Sequence, residues 1–222
     1  MSGLEQEAAL ASWLKAGRQT IGQISIQSRD LDGFALTHRD EGTRENLEEF
    51  KDAEDATALA RFDDAGNYRP LKTAPNLRHG WRLLVPNHTE LVRALELFYP
   101  GRLATFLAWE KKTVVPTTFR QTLNRQSGMY RSAAKLTDDE SDLLVGHFCR
   151  SDSGCLRTIL WKRDECGTTA SSRLPDSKFD PLFDQTGCGA AVIPLLCQEA
   201  CNLLVAEARK ITQTRENHPT RQ

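Results

Sequence analysis

Cysteine is missing from the first 148 residues of this 222-residue chain, and all six cysteines lie between Cys149 and Cys201. Cysteines used only as small buried hydrophobes should not avoid two-thirds of a chain. Long apolar runs are missing as well. Segments such as AAVIPLL (190–196) fall far short of the about 20 apolar residues that a membrane-crossing helix requires. Charge of one sign is not in excess: 29 basic residues face 30 acidic ones, for a formal net charge of -1. No global field therefore gathers nucleic acid or an anionic membrane surface. There is no G-x-S-x-G, no phosphate-binding P-loop and no dinucleotide fingerprint. The run CQEACNLL lacks the third cysteine of a radical-SAM triplet. The opening MSGLEQEAALASWLKAG is an acidic amphipathic segment without a basic leader region, so it does not read as a signal peptide. The expected location is the cytoplasm, where thiols stay reduced and clustered ones serve as metal ligands or catalytic groups more often than as disulfides.

The rest of the chain has ordinary globular composition and enough length for a real core. Leu4 to Ala16 follows helical spacing and Gly17 supplies the stop. The next segment alternates, with Ile21, Ile24 and Ile26 before the turn chemistry of Asp30–Gly33, and Phe34 and Leu36 after it. This predicts a β-hairpin. The charged stretch RENLEEFKDAEDATALARF predicts one or two surface helices. DDAGNYRPLKTAPNLRHGW predicts a loop, and WRLLV a short strand. Two helices follow in NHTELVRALELFYP and GRLATFLAWEK, the first ending before Pro100. Two more are expected in PTTFRQTLNRQSGMYRSAAKL and TDDESDLLVGHFC, where Thr137 and Glu140 form a capping box. Beyond lie a strand-like LRTILW, an irregular stretch from Lys162 to Gly189, a helix from about Gln198 to Thr212, and a frayed polar tail. The fold class is α+β: an N-terminal helix and β-hairpin, a helical middle, and a cysteine-bearing C-terminal part. The expected division is 1–136, 137–212 and a tail, 213–222.

Four cysteines form two pairs. Cys149 and Cys155 flank RSDSG, and Cys197 and Cys201 flank QEA. Gly154 permits the tight turn that would bring the first two sulfurs onto one metal. Cys197 and Cys201, four apart at the start of a helix, would project from one face, where the helix dipole favours negative charge. Four thiolates from two separated pairs can close either a tetrahedral zinc site or an iron–sulfur cluster. Structural zinc prefers tighter knuckles than C-x5-C, so the spacing favours the larger cluster, with zinc the alternative. Arg150 and Arg157 stand where they could offset a cluster's charge. Cys166 and Cys188 are left over, each a substitute ligand or incidental.

Other candidates are weaker. His38, His79 and His147 could serve a metal or a catalytic step, but each fits a structural histidine better. Arg69, Lys72, Arg78 and Arg82, interleaved with Tyr68 and Trp81, could hold an acidic ligand or simply belong to a packed loop with snorkelling side chains. Arg125, Tyr130 and Arg131 carry the same ambiguity. Trp109 and Trp161 read as core.

The order C-x5-C-LRTILW followed by CQEACNLLVAEAR resembles the 4Fe–4S domain found downstream of CbiX-like (sirohydrochlorin cobaltochelatase-like) domains. WLKAGRQTIGQISI, FALTHRDE, YRPLKTAPNLRHGW, ALELFYPGRLATFLAW and RQSGMYRSA are similar to the region that precedes the cluster in that family, so the resemblance runs from about Trp13 to Arg209. The family's second pair reads close to C-P-E-P-C, from which Gln198 and Ala200 depart while leaving both thiols in place. The resemblance implies a 4Fe–4S cluster on Cys149, Cys155, Cys197 and Cys201. It begins at the accessory region, so no chelatase domain is expected here and chelatase activity is not carried over. What it implies is an accessory role toward a separate chelatase of tetrapyrrole (cobalamin or sirohaem) synthesis, in electron transfer, redox sensing or structural support. The expected partners are a CbiX-like chelatase or an electron-transfer protein, with no nucleic acid and no membrane. A zinc-stabilised binding module and a tetrapyrrole-acting enzyme using the basic loop are the alternatives.

Overall fold

Helix α1 (Gly3–Lys15) ends as its sequence predicts. Gly17 takes a φ of +85°, its N–H reaches Leu14 O at 3.0 Å, and the Arg18 N–H reaches Trp13 O at 3.0 Å. Those two bonds satisfy carbonyls of the last turn and need a residue that tolerates the left-handed region. The structure, a computed structural model, describes residues 3–29, 33–69, 74–113, 119, 122–123, 133–145, 147–148, 162–164, 167–168, 192–193 and 201–217.

Strands β1 (Thr20–Ile21), β2 (Ile24–Ser28) and β3 (Phe34–His38) run antiparallel in sequence order. The expected hairpin is β2–β3, in register from Ile24 opposite His38 to Ser28 opposite Phe34. A 3₁₀ turn (Arg39–Glu41) leads to β4 (Glu48–Phe50), α2 (Asp55–Arg61) and β5 (Trp81–Val85). Here the surface-helix expectation is corrected. Glu48–Phe50 is a strand parallel to Trp81–Leu83, and only Asp55–Arg61 is helical. That helix is not purely superficial, since it buries Ala56, Leu59 and Ala60.

Helix α3 (His88–Phe98) starts at Asn87, whose side chain accepts the Glu90 N–H at 2.9 Å, and α4 (Arg102–Glu110) follows. One face of the sheet carries Ile24, Ile26, Phe34, Leu36, Trp81, Leu83 and Val85, all buried. Trp81 stacks on Phe98 at 5.2 Å, and Trp13 of α1 tilts against Phe106 of α4 at 4.8 Å. Glu110 closes this corner, accepting from Trp13 Nε1 and Arg18 Nη1, each at 2.8 Å.

Late in the chain, β6 (Lys162–Asp164) and β7 (Gly167–Thr168) pair antiparallel within the stretch expected to be irregular. Strand β8 (Val192–Ile193) pairs parallel with β1, giving a six-stranded mixed sheet in the order β4-β5-β3-β2-β1-β8. Helices α5 (Asp138–Val145) and α6 (Asn202–Asn217) complete an α+β fold. Contacts divide the chain into a unit of residues 1–114 and 184–195 and another of 115–183 and 196–222. The boundary expected at residue 136 falls within the second unit.

Candidate metal centre

Helix α5 opens on the capping box legible in the sequence. The Thr137 N–H donates to Glu140 Oε2 at 2.7 Å, and the Glu140 N–H donates to Thr137 Oγ1 at 3.2 Å. The same glutamate accepts from Arg215 at 3.2 Å, while Arg215 Nη2 donates to the Lys135 carbonyl at 2.7 Å. Lys135 pairs with Glu216 at 2.6 Å, and this ion pair and hydrogen bond hold the Glu216 carboxyl below the usual range. The N-terminus of α5 is thus joined to the C-terminus of α6. This network also explains a corrected boundary. The tail expected to fray after Thr212 is helical through Asn217, because its charged residues are tied to the 135–140 turn.

From that joined end the two chains lead away. In α5 the chain runs forward to His147 and Phe148, which meet edge to face at 4.8 Å, and Cys149 is the next residue in sequence. In α6, traced backward, the helix begins at Asn202, immediately after Cys201. Apolar burial of Leu144 and Val145 in α5, and of Leu204, Val205 and Ala208 in α6, packs the pair.

Cys201 is a free, half-buried thiol. Its carbonyl accepts the Val205 N–H at 3.0 Å, so it stands at the cap position. The described helix starts at Asn202, and the shared face expected for Cys197 and Cys201 involves Cys197, which lies outside the described residues. The first-turn N–H groups of α6 have no acceptor inside the helix, and together with the dipole they favour an anionic group at this end. An unpaired thiol there fits thiolate ligation of a metal cluster. Cys149, Cys155, Cys166, Cys188 and Cys197 lie outside the described residues, as do Arg150, Arg157, Lys72, Arg125, Tyr130, Arg131, Trp161 and the Trp109 side chain. Among the described residues no group of three or more His, Cys, Asp or Glu is arranged to hold a metal ion.

The described histidines have structural surroundings. His38 is buried at the end of β3, where its Nδ1 accepts the Asp40 N–H at 3.3 Å. His88 meets Phe34 edge to face at 4.7 Å, and His79 sits on an exposed loop. The basic segment is a pinned loop. Trp81 is fully buried and donates from Nε1 to Pro75 O at 2.7 Å, so it is not part of a surface site. The Arg78 N–H donates to Asp64 at 3.0 and 3.1 Å, and Arg82 pairs with Glu49 at 3.5 Å. Burial holds the Arg69 guanidinium below its ordinary pKa, with the charges of Asp63 and Tyr99 opposing. Tyr68 remains exposed, edge-on to Phe62 at 6.4 Å.

Residues 111–210 match the model of a 4Fe–4S iron–sulfur cluster binding domain, and this is an iron–sulfur protein. Residues 6–111 match the model of the DR2241 stabilising domain. The two matches follow one another along the chain, the stabilising domain first and the 4Fe–4S domain after it. Among solved structures it is similar to DR2241 from Deinococcus radiodurans, described as a multi-domain protein with structural similarity to chelatases and two additional novel domains. Identity is 26% and the TM-score is 0.66. The match covers 95% of this chain and 42% of that one, so the chain spans less than half of that relative's length. No curated protein matches. Among the described residues no helix is long and apolar enough to cross a membrane.

Proposed function

We propose that Cys149, Cys155, Cys197 and Cys201 hold one 4Fe–4S cluster, and that the protein is accessory to a separate tetrapyrrole metal chelatase. The observation that carries the ligand set is the joined helix pair. Its members lead, from one fixed end, to Cys201 at the cap of α6 and to Phe148, the residue before Cys149. A bound cluster supplies one-electron transfer or a redox-sensitive structural brace. The chain's own contribution is to present thiolates, to place a helix terminus against their negative charge, and to fix the two helices that carry them. The accessory role rests on the structural similarity of the solved relative to chelatases. That likeness belongs to a protein of which this chain spans a part.

Anaerobic purification tests the cluster. A brown protein with four iron and four acid-labile sulfide per chain, bleaching on reduction, supports it; a colourless protein with one zinc overturns it. Cys197→Ala should abolish the colour. If Cys188→Ala abolishes it while Cys197→Ala does not, the ligand set is wrong. The accessory role predicts that the purified holoprotein binds or reduces a CbiX-like chelatase. Failure of both, with the cluster intact, overturns that role alone.

A further inference from the structure

Among the described residues Glu41 is the one acid buried in the core of the N-terminal unit, with a relative exposure of 3%. It ends the 3₁₀ turn and lies beneath segment 77–81. Its Oε2 accepts the Trp81 main-chain N–H at 3.3 Å, and its Oε1 has no hydrogen-bond partner. Gly80 sits so close above it that a Cβ there would stand 3.1 Å from Oε2.

Arg44 occupies a shared position. Its Nη1 is 3.9 Å from Glu41 Oε1, yet its N–H groups go to the carbonyls of Leu77, at 3.5 Å, and Arg78. An ionised carboxylate draws a guanidinium more strongly than neutral carbonyls do, and the more so in a site of low dielectric. Arg44 thus stands between the two alternatives, within ion-pair reach of the carboxyl while bonded to the two carbonyls. Burial is the main cause that raises the Glu41 pKa. The Trp81 N–H and Arg44 act against it, and the charges of Asp40 and Asp64 add to it. These are the charged groups that face Glu41: Asp40 on its own turn, Arg44 on the turn after it, and Asp64 on the 62–68 hairpin. Segment 77–81 presents main chain, and His38 on β3 is turned toward Asp40.

We propose that Glu41 and Arg44 form a proton-operated latch on segment 77–81. With Glu41 protonated, Arg44 holds the Leu77 and Arg78 carbonyls. When Glu41 loses its proton to solvent, Arg44 moves to the carboxylate and frees the Leu77 and Arg78 carbonyls, loosening the exposed turn at Arg78 and His79 while the Arg78 N–H stays on Asp64. The native state binds this proton more tightly than the unfolded chain does. The stability it contributes is therefore full below the ordinary glutamate range and is lost as pH rises through the folded-state value.

Amide hydrogen exchange of the full chain, corrected for intrinsic rates, tests this from about pH 4 to about pH 8 while the Glu41 carboxyl carbon is followed by NMR. Protection of the His79 and Gly80 amides should fall severalfold in step with the Glu41 titration, while the Arg78 and Trp81 amides, bonded to Asp64 and to Glu41 Oε2, keep theirs. Glu41→Gln should hold protection high and flat, and Arg44→Met should hold it low and flat. Flat protection in the wild type across the Glu41 titration overturns the latch. So does wild-type-like protection in Arg44→Met, a variant at the protein surface that keeps the reading open if Glu41→Gln does not fold.

Discussion

Replacing Gly80 with alanine should destabilise the N-terminal unit far more than the same change at Gly66. Both glycines have left-handed backbones, with φ of +65° and +77°. An alanine at either position carries a conformational cost of about 1–2 kcal/mol, offset in part by a stiffer unfolded chain. Their surroundings differ. A Cβ at Gly66 meets nothing within 4 Å, whereas one at Gly80 would lie 2.3 Å from Leu47 Cδ2 and 3.2 Å from Glu41 Cδ. Leu47 is itself buried, so it cannot rotate into solvent without leaving a void. Overpacking of this kind costs about 1–3 kcal/mol. Gly66→Ala should then lose about 1 kcal/mol and Gly80→Ala about 3, the difference being steric. Urea denaturation of each variant, read at the transition of the N-terminal unit, gives both numbers. If the two variants lose the same stability to within about 0.5 kcal/mol, the close packing of Gly80 on Glu41 and Leu47 is not an energetic feature of the fold.

Other consequences can be measured in the same way. Phe98→Ala removes the ring stacked on Trp81 and should cost about 3–5 kcal/mol, with a shift in tryptophan emission; a loss below about 1 would contradict the packing. Thr137→Ala should cost the cysteine-bearing unit about 1 kcal/mol through the lost cap. Exchange of the α5 amides should rise, and no change there would refute the capping box. Glu110→Ala leaves the part-buried Trp13 N–H without its acceptor and should cost about 1–2 kcal/mol by urea denaturation. An unaltered midpoint would show that solvent replaces the carboxylate freely. Stripping iron with a chelator should leave hydrogen exchange in β2, β3 and β5 unchanged, because the described residues of the core around them include no cysteine; loss of protection there would tie that sheet to the cluster.

What could be read in the sequence was local. The Gly17 stop, the β2–β3 hairpin, the Asn87 start and the reciprocal bonds of Thr137 and Glu140 all lie within a few residues of their signals. Strand β4 was illegible for the opposite reason. EEF carries helix-favouring acids, and only pairing with Trp81–Leu83, some thirty residues on, makes it a strand. The helical run past Thr212 likewise depends on Lys135 and Glu140, which no window around the tail contains. Of the metal centre, composition and spacing singled out the cysteines. The spacing rule that started the helix at about Gln198 put Cys201 inside it, whereas Cys201 caps a described helix that begins at Asn202.

Strand β8 gives the chain an order of assembly. The two residues that complete the sheet beside β1 come about 170 positions after it, and Cys149, Cys155, Cys166 and Cys188 are all synthesised in between. A chain emerging from the ribosome therefore carries β1 as an open edge, able to template pairing with a neighbouring chain, until four of its six thiols have been made. A fragment cut where the N-terminal family match ends, at residue 111, would keep that edge open permanently.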